Sequence, residues 1–481
     1  MVFKVCKRFK HEIDESIALQ YKTECEVCGV VDGDTNAFSV AERLQRLRDQ
    51  QEAWASGRPT EVLHVKDPYS TFGTVMATYV LAEDGRWMLH VVQVPSQYRN
   101  ILKKEWYLDL PFGALAFSID QSQRLLVAAE NLELTNGVPR LRFHILDSET
   151  GQAHPLAASP FLDAEGTTCI GINILGDVFG VICERTINNV IAGSTLQVWN
   201  WKTSHLVLNL AVLNHTTFAI IEGPYVLLPS RPTDVDVSTL CVLPCTSDRK
   251  IDIAEINRTA ILELGLPITT VHDVADVSLD TPQLPPHDAV VPFFGDSERR
   301  FIHIRASLLD CEAEVPLEDH FVPLHNIQTL LRSEEQHLAS NTASQTHRVY
   351  PWPRWAQTAV SSASWDQGED GKRCMDICDH RASRVFTDRM PWAPPLTSQI
   401  MFNFNAYWAK RWNSSTIAQC KAAGAGDVIH QATTSTTPCR FSYTAFSRHD
   451  WVENMRPQFH RQVLLDDGLF GKETIQQNSE Q

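Results

Sequence analysis

The chain has 481 residues, of which 43% are hydrophobic and 21% charged, the balance of a folded globular protein rather than a disordered one. Its 58 acidic residues outnumber the 42 basic ones and give a net charge of −16, which opposes phosphate backbones and anionic lipid surfaces. We therefore expect neither a nucleic-acid partner nor a membrane partner.

Residues 1–60 are predicted to form a helical segment. Apolar side chains recur there at helical spacing and make one stripe, formed by Val2, Val5, Cys6, Phe9 and Ile13. A second helix is predicted from Ser39, because Ser39 and Glu42 match a capping box. Gly57 and Pro59 are predicted to end it, since glycine accepts a left-handed cap and proline cannot continue a helix.

From about Val62 the apolar period changes to that of β-strands. Residues 74–81 and 86–94 flank an Asp-Gly pair, which predicts a hairpin because the tight turn needs positive φ angles. Further strand-like runs follow at residues 114–118, 125–129, 141–146, 178–183, 196–201, 218–221, 226–228, 239–243 and 301–306. Short strands without long helices between them predict a mainly β architecture over residues 61–330.

A weak internal repeat narrows this prediction. LRFHILDSETGQAHPL, from Leu141, aligns with LQVWNWKTSHLVLNL, from Leu196. Each copy has a strand, then Asp147 or Asn200, a turn, and a second apolar strand. This order is typical of a blade in a WD-type β-propeller, which must stack on neighbouring blades to bury its faces. A β-sandwich followed by another domain would also produce two such copies.

The pattern weakens in the last third of the chain. Residues 331–440 are rich in Ser, Pro, Trp and charged residues with little alternation, and we interpret them as an irregular, loop-rich or partly disordered insertion. A gene-model error would give the same composition. Residues 441–446 and 462–465 regain strand character, so residues 441–481 are predicted to hold closing strands and a disordered tail.

Signals of chemistry are sparse. Cys25 and Cys28 have the spacing of zinc ligands, but no second Cys or His pair completes a site, and the pattern favours two small residues at a helix end before Gly29. His287-Asp288 is one of several isolated pairs expected in loops. No phosphate loop, zinc-protease helix, nucleophile elbow or dinucleotide turn is present. We therefore predict no enzyme activity, no catalytic residue, no metal and no cofactor.

Location follows from similar arguments. No apolar run approaches the ~20 residues that span a bilayer. The N-terminal residues are too charged for a secretory signal, and 12 cysteines are too few for a disulfide framework in a chain of this length. We expect the protein in the cytoplasm or the nucleus.

Several segments together carry a family resemblance. VCKRFKHEIDESIALQYKTECEVCG, from Val5, is similar to the last helix of an F-box and the segment after it, and SVAERLQRLRDQQEAW, from Ser39, to the next helix. SETGQAHPLAASP and LQVWNWKT match the later strands, and YPWPRWAQ, PCRFSY and QVLLDD match more loosely. The chain thus resembles fungal F-box-like proteins, fairly evenly from Val5 to about Asp310 and patchily to Asp467.

The resemblance implies a role. F-box proteins bind a Skp-family adaptor through an N-terminal helical module and present a protein substrate to a cullin-based (SCF-type) ubiquitin ligase. It thus implies that the stripe of Val5, Cys6, Phe9 and Ile13 contacts the adaptor. The usual leading LPxE-type segment is absent, so we expect either a start further upstream or a protein that has lost adaptor contact. The alternative function is a non-ligase propeller scaffold for protein assembly.

Overall fold

The chain is described by a computed structural model. It describes residues 7–33, 36–56, 70–82, 85–135, 138–187, 190–212, 217–223, 225–230, 239–245, 250–252, 255–266, 272–279, 284–308, 318–340, 349–356, 360–362, 375–378, 381–388, 396–403, 428–431, 444–448, 459–465 and 468–473. The predicted helix stop at Gly57 and Pro59 lies outside these residues.

A helical segment opens the chain. It comprises α1 (Lys7–Glu15), α2 (Ile17–Cys28), β1 (Val30–Asp32) and α3 (Val40–Ser56). The predicted cap of α3 is confirmed, because the Ser39 hydroxyl accepts a hydrogen bond from the Glu42 amide at 3.2 Å. Helix α2 ends at Gly29, whose φ of 64° is left-handed, so Cys25 and Cys28 lie at a helix end as predicted.

Two sheets of four antiparallel strands follow. Blade 1 contains β2 (Ser70–Phe72), β3 (Val75–Leu81), β4 (Trp87–Gln93) and β5 (Lys104–Asp109). Blade 2 contains β6 (Ala114–Asp120), β7 (Leu125–Thr135), β8 (Val138–Asp147) and β9 (Phe161–Glu165). The hairpin predicted from the Asp-Gly pair is confirmed, since β3 and β4 are antiparallel partners.

Three further blades continue the order. Blade 3 contains β10 (Thr168–Leu175), β11 (Val178–Ile187), β12 (Val190–Asn200) and β13 (His205–Val212). Blade 4 contains β14 (Ala219–Ile221), β15 (Tyr225–Ser230), β16 (Thr239–Pro244) and, after β17 (Lys250–Ile251) and α4 (Ile256–Thr259), β18 (Leu262–Gly265). Blade 5 contains β19 (His272–Leu279), β21 (Phe301–Leu308), β22 (Glu318–Pro323) and β24 (Val360–Ser362). Between β19 and β21 the chain forms β20 (Phe293–Gly295). Between β22 and β24 it forms α5 (Leu324–Ser340), β23 (Val349–Tyr350) and α6 (Trp352–Trp355).

The C-terminal third adds more strands. A sixth sheet contains β25 (Met375–Cys378), β26 (Arg381–Asp388), β27 (Leu396–Asn403), β28 (Val428–Gln431) and β29 (Thr444–Arg448). A hairpin of β30 (Phe459–Leu465) and β31 (Gly468–Glu473) follows. Strands were predicted near both β29 and β30.

The blades stand side by side around an axis. The first strand of each blade contacts the first strand of the next, from β2 through β6, β10 and β14 to β19. Each pair of neighbouring blades also shares one apolar core, as where the Phe143 and Phe179 rings of blades 2 and 3 meet at 5.9 Å. The fold is therefore mainly β, a β-propeller-like repeat domain with a short α-helical N-terminal segment, as predicted.

Strand direction divides the propeller into two ends. Successive strands of a blade are antiparallel, so the first-to-second and third-to-fourth connections lie at one end, and the remaining connections at the other. We call the first the turn end; it includes residues 121–124, 148–160 and 201–204. We call the second the loop end; it includes residues 110–113 and 166–167.

The aligned repeat forms matching turns at the turn end. Asp147 and Asn200 each accept a hydrogen bond from the amide three residues on, at 2.9 Å in both cases. One residue later the chain takes a positive φ, 70° at Gly151 and 62° at Ser204. Residues 120–124 form a related turn, in which Asp120 accepts a hydrogen bond from the amide two residues on, at 3.0 Å, and the φ of Arg124 is 56°. In both copies of the predicted repeat, an Asp or Asn therefore begins the turn and a residue with positive φ follows four positions later.

Within residues 331–440, for which we predicted an irregular insertion, the described part includes the end of α5, β23, α6 and β24 to β28. Strands β17 and β23 pair in parallel with the outer strands β13 and β18 of the preceding blades. Their buried side chains, Ile251 and Tyr350, enter the cores between blades. A strand of two residues has no period of its own and exists because of its partner, so the sequence pattern does not reveal it. The domain boundaries at residues 60, 330 and 440 stay predictions.

Candidate protein-binding surfaces

The helical segment packs against the turn end of the propeller. Its contact is the insert 284–300, which joins β19 to β21. Strand β1 pairs with β20 of the insert, and the Tyr21 hydroxyl donates to the carbonyl oxygen of Pro292 at 3.2 Å. Six buried side chains form a core between the two parts: Tyr21, Cys25, Cys28, Leu44, Leu47 and Phe293. We call α1–α3 with β1 the helical layer.

Charged contacts and a close backbone approach reinforce this docking. Arg299 of the insert forms an ion pair with Glu26 of α2, and within the helical layer Arg43 of α3 forms one with Asp32 of β1, the strand that pairs with the insert. A Cβ atom on Gly33 would lie 2.0 Å from the carbonyl oxygen of Val291, so the two backbones meet where a side chain does not fit. The helical layer is thus held in one orientation on the propeller.

Two of the four predicted adaptor-contact residues lie in α1, at the start of this layer. Val5 and Cys6 are outside the described residues, Phe9 lies in α1 with its side chain outside the description, and Ile13 of α1 is half-buried. Ile17 and Leu19, in the first turn of α2, are large apolar side chains with 48% and 43% of their surface exposed. The assignment of the stripe to an adaptor stays a prediction.

The predicted cysteine pair is packed as an apolar element. Burial raises the pKa of the Cys25 thiol to about 11, and Cys28 lies in the same core. Among the residues that the structure describes, no three His, Cys, Asp or Glu side chains are grouped to hold a metal ion. In the same part of the chain, no helix is long and apolar enough to cross a membrane.

A backbone hydrogen bond ties the insert to blade 2. The His287 amide donates to the carbonyl oxygen of Gln121 in the β6–β7 turn at 3.2 Å. The His287 ring, 2.8 Å from Asp288, lowers the pKa of that carboxyl, and the positive charge of Arg124 acts in the same sense. The His-Asp pair predicted to be an isolated loop pair therefore lies in the insert, at the turn end.

A second exposed surface lies at the loop end of blades 1 and 2. Leu81 and Trp87 are cross-strand partners at the ends of β3 and β4, with 59% and 55% of their surface exposed. Side chains alternate along a strand, so these two continue the face whose earlier members, including Leu89 and Val91, are buried against blade 2. The apolar face that forms the core between blades 1 and 2 therefore extends to the protein surface at Leu81 and Trp87.

Leu115 joins this surface through an irregularity in β6. The pairing of β6 with β7 skips Leu115, which marks a β-bulge, and 52% of the Leu115 surface is exposed. The innermost strands β10 and β19 also have a register shift, at Gly171 and at residue 275. Blade 2 thus places a large apolar side chain at a bulge next to the central axis.

Paired charges and aromatic rings lie on the neighbouring strands of blades 1 and 2. Arg86 forms an ion pair with Asp109, and His144 lies 2.8 Å from Glu130 with the Phe112 ring stacked on it at 3.7 Å. This arrangement continues along blade 2, where Arg142 binds Asp163 through two hydrogen bonds of 2.8 and 3.2 Å. The Arg142 guanidinium holds the pKa of the Asp163 carboxyl below its usual range.

We define the loop-end surface by Leu81, Trp87 and Leu115. The sequence interpretation missed it, although one signal was present. Trp87 follows the predicted Asp84-Gly85 turn by two residues, and the hairpin register places it opposite Leu81. Exposure itself depends on the neighbouring blade and cannot be derived from the hairpin alone.

No family model and no curated relative matches the chain. Among solved structures it is similar to the β-propeller domain of the Trilobed protease from Pyrococcus furiosus, with 8% identity over 72% of this chain and 80% of that chain and a TM-score of 0.33. It is also similar to apo AztD from Citrobacter koseri, with 11% identity over 70% of this chain and 69% of that chain and a TM-score of 0.29.

Proposed function

We propose that the chain binds proteins rather than catalysing a reaction, and that it is the substrate receptor of a cullin-based ubiquitin ligase of the F-box type. The observation that supports this most is the position of the two exposed apolar surfaces. The helical layer, which carries the F-box-like segment, is docked at the turn end, and the loop-end surface lies at the opposite end. A receptor must hold an adaptor and a substrate at once, and surfaces at opposite ends allow this.

In this proposal the roles divide between the ends. The stripe of Val5, Cys6, Phe9 and Ile13 contacts a Skp-family adaptor, with Ile17 and Leu19 extending the apolar area beside it. The propeller presents the substrate protein. We expect both partners in the cytoplasm or the nucleus.

The test is co-purification of the chain with a recombinant Skp-family adaptor. We expect the wild-type chain to retain the adaptor, and the variants Phe9→Asp and Ile17→Asp each to reduce binding by ~10-fold or more, because a buried carboxylate loses its hydration. Leu102→Asp is the matched control, since Leu102 is 78% exposed and lies at the turn end outside the helical layer. Its adaptor binding should equal that of the wild type.

The outcome also separates the two candidate functions. If neither the chain nor a version extended by its upstream coding sequence retains the adaptor, the ligase proposal is wrong. The scaffold function would then account for the loop-end surface, because a propeller that assembles proteins needs no adaptor.

A further inference from the structure

We propose that the loop-end surface, Leu81, Trp87 and Leu115, is where the substrate binds, and that it takes a protein segment with an uncharged, apolar anchor side chain. This inference rests on the proposed function and names the substrate chemistry of the same propeller. It concerns the end of the molecule that the helical layer leaves uncovered among the described residues.

The exposed residues have the composition of an interface centre. Trp87 lies one position beyond the Met88–Asp109 pair of β4 and β5, next to the 110–113 connection that carries Phe112. Tryptophan is enriched among residues that dominate binding energy, and an apolar centre within a polar rim is the usual anatomy of such sites. Leu115 extends the apolar area toward the axis, because its bulge turns a side chain out where β10 has a glycine.

The charged side chains near this surface disfavour a ligand whose anchor side chain is acidic or phosphorylated. Arg86 is already paired with Asp109, Arg142 with Asp163, and the His144 ring with Glu130. A phosphate would need cations that these carboxylates already neutralise, and displacing a carboxylate would leave it unpaired beside the incoming anion. The net charge of −16 likewise disfavours a nucleic acid. A protein segment held by apolar contact meets neither obstacle, and it is the occupant that the exposed Trp87 and leucine side chains favour.

The surface can be changed without unfolding the protein. Leu81, Trp87 and Leu115 are each more than half exposed, so a charged residue at these positions stays hydrated. Leu89, the buried neighbour of Trp87 on the same face, keeps the core between blades 1 and 2 intact. Variants at the three exposed positions therefore report on binding.

The experiment uses a phage-displayed library of random peptides of about 12 residues. Peptides are selected on the wild-type chain alone, and the affinities of synthetic copies for the wild type and for each variant are measured by fluorescence anisotropy. We expect selected peptides to share an aromatic or aliphatic anchor, and Trp87→Glu and Leu115→Glu to raise Kd by ~10-fold or more. Leu102→Glu, at a still more exposed leucine of the turn end, should leave Kd unchanged.

Salt dependence separates an apolar anchor from an acidic one. Raising the salt from about 50 to about 500 mM should change Kd by less than about threefold, since apolar contact is not screened. Peptides that bind Trp87→Glu as well as the wild type would overturn the proposal. So would a selected set that is acidic, or phosphorylated copies that bind more tightly and lose affinity with salt.

Adaptor co-purification of the same variants keeps the two proposals apart. Trp87→Glu should retain the adaptor as the wild type does, because the change lies at the other end of the propeller. If the chain binds the adaptor but the peptides bind the wild type and Trp87→Glu equally well, the ligase proposal stands and the present proposal is wrong. Peptide binding that needs Trp87, without any adaptor binding, would do the reverse.

Discussion

Replacing Asp147 by alanine tests whether the repeated turn holds a blade together. The buried Asp147 carboxylate accepts hydrogen bonds through Oδ1 from the Glu149 and Thr150 amides, at 2.9 Å each, and from the Thr150 hydroxyl at 3.1 Å. Its Oδ2 atom pairs with Nη2 of Arg124 at 3.0 Å. One side chain therefore closes the turn between β8 and β9 and ties it to the β6–β7 turn.

The magnitude follows from these contacts. A hydrogen bond to a charged group contributes about 1.5–3 kcal/mol, and water replaces part of it where the turn is exposed. We expect Asp147→Ala to lower the free energy of unfolding by about 3 kcal/mol. Asp147→Asn should cost only about 1 kcal/mol, because Asn200 closes the matching turn of blade 3 with an amide oxygen.

The pH dependence gives an independent check. Burial alone would raise the pKa of the Asp147 carboxyl, but hydrogen bonds from the Glu149 and Thr150 amides and the Arg124 charge outweigh it, so the pKa lies below its usual 3.8. A group with a lowered folded-state pKa stabilises the protein above its unfolded pKa, and this is lost as pH falls through the folded value. The stability difference between wild type and Asp147→Asn should be complete at neutral pH and shrink below about pH 4.

The assay is urea unfolding followed by circular dichroism at neutral pH. Asp177→Ala is the matched control, because Asp177 is an exposed acid of the same end whose ion pair with Lys202, at 2.7 Å, is open to solvent. We expect it to cost less than about 1 kcal/mol. If Asp147→Ala and Asp177→Ala lowered the midpoint equally, the reasoning about the turn would be refuted.

Three other substitutions or reactions probe separate parts of the fold. Ile251→Ala should lower the free energy of unfolding by about 2–3 kcal/mol, because Ile251 of β17 is buried between blades. Leu102→Ala, at an exposed site, should change it by less than about 0.5 kcal/mol. Equal urea midpoints for the two variants would contradict this. Gly33→Ala should release the helical layer and speed hydrogen exchange in α2, because the added Cβ atom collides with the backbone of Val291. Gly113→Ala should not, since a Cβ atom there has no neighbour within 4 Å. Unchanged exchange in both variants would refute the close approach of Gly33 to Val291. Burial raises the pKa of the Cys183 thiol, so it should resist a disulfide reagent at about pH 8 in the folded protein and react in urea, and rapid reaction without urea would show that it is accessible.

Features set by local physics could be predicted from the sequence. The β3–β4 hairpin follows from an Asp-Gly turn between two strand-like runs, and the start of α3 follows from the hydroxyl of Ser39. The internal repeat aligned Asp147 with Asn200, and in the structure each of these side chains accepts a hydrogen bond from an amide of its own turn. In each case the residues that determine the structure lie within a few positions of one another.

Features set by distant neighbours could not be predicted. Strands β17 and β23 have two residues each and are defined by the outer strands that they join. Leu115 is exposed because β6 skips it against β7, a register that no spacing in β6 alone encodes. The docking of the helical layer depends on the 284–300 insert, more than 250 positions away from Tyr21.

The two surfaces are joined by a single strand, which bears on how a receptor would work. The insert contacts the helical layer at Pro292 and the β6–β7 turn at Gln121, and from that turn β6 runs back from Asp120 to the bulge at Leu115. At about 3.3 Å per residue, this stretch spans roughly 15–20 Å. Because β6 pairs with β7 from Ala116 to Asp120, this stretch cannot shorten or tilt without breaking blade 2. A substrate on the loop-end surface would thus be held at a fixed distance from a partner on the helical layer, so loosening the insert should uncouple the two partners without weakening either binding surface.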